Sequence, residues 1–110
     1  MAYDVELTER IRDVLVGTPG LTEKAMFGGL AFLVGGRMAV AASGRGGLLL
    51  RVDPAQTDTL IDGVHVRRFV MRGREMDGWL GIDAEAIATG DDLERWVAFG
   101  IAYAASLPPK

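Results

Sequence analysis

The sequence has no cysteine. That excludes disulfides, thiolate zinc sites, iron–sulfur ligation and a cysteine nucleophile. It has one histidine, His65. A lone imidazole without an HxH or HxxxH neighbour makes neither a metal site nor a catalytic triad. His65 therefore reads as an ordinary strand or turn residue. Long apolar runs are also missing, since a membrane helix needs about 20 such residues. The opening residues, MAYDVELTERIRDVL, are acidic and amphipathic, whereas a secretory leader starts basic and turns apolar. A cytoplasmic protein without a membrane partner is the expectation. There is no basic excess either: 12 Lys and Arg stand against 15 Asp and Glu, a net charge of −3. A domain that grips nucleic acid by itself usually carries one.

Glycine is plentiful, at 15 of 110 residues. A chain of this length is one domain, spanning residues 1–110. It can bury about two thirds of its unfolded surface. The stretch from Lys24 to Val52 holds three apolar runs separated by glycine-rich breaks, and reads as a three-stranded antiparallel meander. Its first strand is Lys24 to Val34, with Gly28 and Gly29 in the middle. The pair suits a bulge that curls the sheet, or a point where a backbone or ligand approaches closely. Leu30 to Val34 shows no polar alternation. That pattern predicts burial on both faces, by helices on one side and a second subunit on the other. Gly35-Gly36 makes a tight hairpin. Strand two, Arg37 to Ala42, puts Met38 and Val40 on one face. Strand three is Leu48 to Val52.

The loop between strands two and three contains GRGG, but no GxxxxGK[ST] follows and no helix begins there. It lacks the parts of a phosphate cradle, and GGRMAVAASG is not in the strand–helix context of a dinucleotide fingerprint.

Three helices are expected. The first runs from about Asp4 to Val16, with Leu7, Ile11, Val14 and Leu15 on one stripe. Asp53 and Pro54 open a second as N-cap and first helical residue, and Gln56 completes a capping box. The third starts near Asp91 as N-cap with Glu94 behind it. Its stripe is Leu93, Trp96, Val97, Gly100, Ile101 and Ala104, with Gly100 marking close packing against the sheet. Two more strands, Val64 to Met71 and Met76 to Ile82, complete a five-stranded sheet.

Arg67, Arg68, Arg72 and Arg74 form the one basic cluster. They protect an edge strand by charge and make a basic turn balanced by Glu75 and Asp77, or they meet an acidic partner or a phosphate backbone; the acidic net charge favours the first. Trp79, between Gly78 and Gly81, is core or a partner-facing anchor.

Taken together, Lys24 to Gly29, Gly36 to Val40, Leu48 to Asp53, Gly73 to Leu80 and Leu93 to Ala105 resemble the N-terminal domain of the TfoX/Sxy family. The likeness spans nearly the whole chain. It implies an α+β fold of order α-β-β-β-α-β-β-α, similar to type III secretion chaperones and often dimeric. The family's founding members regulate natural competence together with the cyclic-AMP receptor protein. Those proteins carry a second, C-terminal domain, and the expectation for this sequence is the single-domain short form.

The functional expectation is a non-enzymatic protein-interaction module, a regulator by resemblance, forming a homodimer and needing no cofactor or metal. Candidate partner-binding residues are Lys24, Phe27, Gly28, Gly29, Arg51, Arg67, Arg68, Arg72, Arg74 and Trp79. A nucleic-acid-binding domain using the arginine cluster is the alternative. An enzyme of unknown type comes last, because no nucleophile–base pair stands out.

Overall fold

The computed structural model describes residues 4–26, 28–44 and 46–108. The described residues form one antiparallel sheet of six strands with three α-helices. In order these are α1 (Val5–Leu15), β1 (Leu21–Met26), β2 (Gly29–Val34), β3 (Arg37–Ala42), β4 (Leu48–Arg51), α2 (Thr57–Leu60), β5 (Val66–Met71), β6 (Arg74–Ile82) and α3 (Gly90–Ser106). Across the sheet the strands run β1-β2-β3-β4-β6-β5. None of the helices in the described residues is long and apolar enough to cross a membrane.

The strand expected from Lys24 to Val34 is two strands. Gly28 sits at φ +77°, a left-handed conformation that glycine adopts without penalty. It reverses the chain, so Met26 pairs with Gly29 and Leu21 with Val34. Gly29 follows where space is tightest: a Cβ there would run into the carbonyl oxygen of Ala42. The glycine pair therefore makes a hairpin turn, and the sheet has six strands instead of five.

A bulge does exist, one strand further on. Phe32 pairs with Val40 but Leu33 pairs with Met38, leaving Ala39 as the extra residue. The slip sends Met38 and Val40 to opposite faces, against the simple alternation expected of them. Val40 joins the core under the helices, and Met38 joins the other face.

One face of the sheet is covered by α1 and α3. Leu7, Ile11 and Leu15 of α1, and Leu93, Trp96 and Val97 of α3, pack on Phe32, Val40, Leu50 and Leu80. The helical stripes expected from spacing are buried except at Val14 and Ile101, which are half-buried. Asp4 caps α1, its carboxylate accepting from the Leu7 N–H at 3.2 Å. Helix α3 starts earlier than Asp91: Thr89 is its N-cap, and its hydroxyl accepts from the Asp92 N–H at 3.1 Å. Threonine competes well for this position, and the two acids then fall in the first turn, where the helix dipole favours them.

Asp53 also caps as expected, accepting from the Ala55 N–H at 2.9 Å. The capping box does not form, because a 3-10 turn over Pro54–Gln56 precedes α2 and Gln56 makes no cap bond. Thr57, at the start of α2, is buried and bridges two segments. It donates to Pro54 O at 2.9 Å and accepts from the Gly78 N–H at 2.8 Å.

Candidate functional site

Among the described residues, no helix lies on the second face of the sheet. Ala31, Met38, Ala41 and Leu49 are nevertheless buried there. Around them lie Met26, Leu33, Phe69 and Trp79, each partly buried. Met26 belongs to β1 and Phe69 to β5, the two opposite edges of the sheet. Both line the same cavity. The sheet is thus curled, with this face on the inside of the curve. Ala31 is buried within the single chain by that curl, so its burial needs no second subunit.

The hollow has two parts. One is a cavity of about 320 Å³ walled by Leu33, Met38, Leu49, Phe69, Met76 and Trp79, with Arg37 and Arg51 also in its lining. The other, of about 180 Å³, shares Met26, Met38, Leu49 and Phe69 with the first and is lined also by Arg72. Together they make a largely apolar trough whose lining includes three arginines. Three of the wall residues are methionines, whose unbranched thioethers adapt to differently shaped occupants.

Arg51 and Trp79 are cross-strand partners between β4 and β6. The Arg51 guanidinium lies 5.2 Å from the centroid of the Trp79 ring and 5.5 Å from that of Tyr103. Both distances are within the range of cation–π attraction. Arg37 is steadied by the end of the chain, its Nε donating to Pro108 O at 3.1 Å.

The sequence-nominated residues divide accordingly. Arg51 and Trp79 meet in the trough, and Arg72 lines its far part. Lys24 is exposed on β1, opposite Ala31 in register. Gly28 and Gly29 build the first hairpin turn, and Phe27 lies outside the described residues. Arg74 is exposed at the start of β6. Arg67 and Arg68 are occupied elsewhere. Arg67 forks onto Asp83 at 2.8 and 2.9 Å. Arg68 donates to Asp77 at 2.8 Å and also pairs with Asp58. These hydrogen bonds hold the Asp83 carboxyl below its usual range and push both guanidinium groups further up. The basic cluster is balanced at its first two positions by acids that lie far off in the sequence.

His65 has neighbours that spacing along the chain could not reveal. Its Nδ1 is 3.4 Å from Asp83 Oδ2 and 3.5 Å from Glu85 Oε2. The three groups lie close enough to share an ion. Asp83, however, already spends both oxygens on Arg67, so a cation there would compete with a bidentate ion pair.

Comparison with protein families decides the kinship. The model of the TfoX N-terminal domain matches residues 13–104, which take in the end of α1, all six strands and α3 as far as Ala104. The chain belongs to the TfoX N-terminal domain family. No curated protein and no solved structure matches it. Within this TfoX N-terminal domain the trough lies wholly inside the matched region, since its wall residues run from Met26 to Trp79.

Proposed function

We propose that this TfoX N-terminal domain is a non-enzymatic interaction module of the regulatory kind, and that it docks a protein partner on the concave, helix-free face of its sheet. The single observation that carries the reading is the asymmetry of the sheet. One face is sealed by α1 and α3, while the other offers Met26, Leu33, Phe69 and Trp79 only partly covered. Exposed apolar surface of this kind, rimmed by charge, is typical of docking sites. A tryptophan beside an arginine is a common energetic centre of an interface. The first partner to test is a second copy of the chain, which the family likeness favours.

The experiment compares the wild type with Met26→Lys and Phe69→Lys, two changes on partly buried positions that leave the helix-covered core alone. Light scattering after size exclusion should give a dimer for the wild type and a monomer for both variants, with melting temperatures little changed. A wild-type monomer at high concentration would remove self-association. Turnover of a metabolite by the purified chain, abolished by one substitution that spares the fold, would remove the non-enzymatic reading.

A further inference from the structure

We infer that the part of the trough lined by Arg51 binds a small carboxylate with an apolar body, of the medium-chain fatty acid type. This inference goes beyond the docking reading and does not depend on it.

Size comes first. The cavity of about 320 Å³ falls at the lower end of the range for small-molecule sites, which starts at about 300 Å³. Its walls are apolar and soft, with Met38 and Met76 among them. Those walls suit a hydrocarbon body, whose burial is favourable in proportion to its area.

Charge comes second. Among the described residues no acid lines this cavity, and the two charged residues that do are both arginines, Arg37 and Arg51. Arg67 and Arg68 end on carboxylates. Arg51 has no carboxylate partner among the described residues, and ends on the rings of Trp79 and Tyr103. Ring contacts position a guanidinium without consuming its N–H donors. That leaves a planar fork suited to a bidentate carboxylate. An apolar cavity whose charged lining is cationic selects an anion with a hydrophobic tail over an alcohol or an amine of the same length. A ligand seated there lies on the floor of the docking face. It and a docked partner would then change each other's affinity by the same factor.

The chain has two tryptophans, and Trp96 packs against Phe99 under the helices. Trp96→Phe therefore leaves Trp79 as the one reporter, in the cavity wall. Octanoate is titrated into this variant while Trp79 emission is followed, with octanol and octylamine as head-group controls. The expected result is saturable binding of octanoate, at least tenfold weaker binding of both controls, and about a tenfold weaker octanoate affinity in Arg51→Gln. A tenfold change corresponds to about 1.4 kcal/mol, within reach of one charged hydrogen bond. In case Trp96→Phe folds poorly, the methyl resonances of Met38 and Met76 in the wild-type chain give a second readout. Equal binding of all three probes, undiminished binding by Arg51→Gln, or no saturation in either readout overturns the inference. The titration is run at a concentration where light scattering gives a monomer, so no second copy covers the face and failure of the docking reading leaves its result unaffected.

Discussion

The carbonyl oxygen of Ala39 stands so near Gly100 that a Cβ on Gly100 would lie 2.5 Å from it. The same Cβ would lie 2.7 Å from Cδ1 of Leu50. Ala39 is the bulged residue of β3, and the bulge tilts its carbonyl toward α3. Helix and sheet meet there backbone to backbone.

Gly100→Ala tests that contact. Alanine gains about 1 kcal/mol of helix propensity over glycine. Overpacking costs about 1–3 kcal/mol, and the upper part of that range applies because the obstacle is sheet backbone. A net loss of about 1–2 kcal/mol is expected, read as a lower urea midpoint. A gain in stability would mean that α3 rides higher on the sheet.

Thr57 holds the α2 turn to β6 through its hydroxyl. Thr57→Val keeps the shape and removes the acceptor, which strands the Gly78 N–H in the interior. The expected cost is about 1–3 kcal/mol. Thr57→Ser keeps the hydroxyl and should cost less. Denaturant melts of the pair separate the hydrogen bond from the lost methyl.

Asp62 gathers three backbone donors on one oxygen: the N–H groups of Val64, His65 and Val66, at 2.8, 2.8 and 2.9 Å. These bonds, with Val66 the largest contributor, lower its carboxyl below the ordinary 3.8. A lowered acid stabilises the fold fully above its unfolded pKa, and the benefit is lost as pH falls through the folded value. Asp62→Ala should melt below the wild type at neutral pH. The gap should shrink once pH drops under about 3.8. Thermal melts from pH 7 to pH 2.5 would show it.

Arg68 looks important from its partners, Asp58 and Asp77. Both acids are well exposed, and solvent screens such pairs. Arg68→Ala should lower the melting temperature only slightly. Added salt should narrow the difference from the wild type further. A larger loss would point to its stem packing on the sheet.

The helices were legible in the sequence because their signal is local. Leu7, Ile11 and Leu15, and Leu93, Trp96 and Val97, repeat at the helical period and are buried. Even the role of Gly100 followed from its place on that stripe. The first hairpin was misread because a glycine pair is the signature of both a bulge and a turn, and only the pairing of Met26 with Gly29 distinguishes them. The bulge at Ala39 leaves no mark in composition, so simple alternation puts Met38 and Val40 on one face where the fold separates them. The trough was invisible for a different reason. Met26, Met38, Leu49 and Phe69 sit on four strands, and each taken alone looks like core. Their assembly depends on strand order and curl, which are long-range properties. Arg51 and Trp79 were singled out separately; their pairing needed the β4–β6 register.

The strand order has a consequence for how the chain assembles. Strands β1 to β4 zip one after another through short turns, and β5 with β6 forms a second ribbon of the same kind. One seam joins the two ribbons, where β4 lies against β6, and its partners Leu50 and Leu80 are distant in sequence. Closing that distance costs chain entropy before any contact repays it. The seam is thus the kinetic bottleneck: Leu80→Ala should slow refolding in stopped-flow traces, while Leu21→Ala on the outer edge should mainly hasten unfolding.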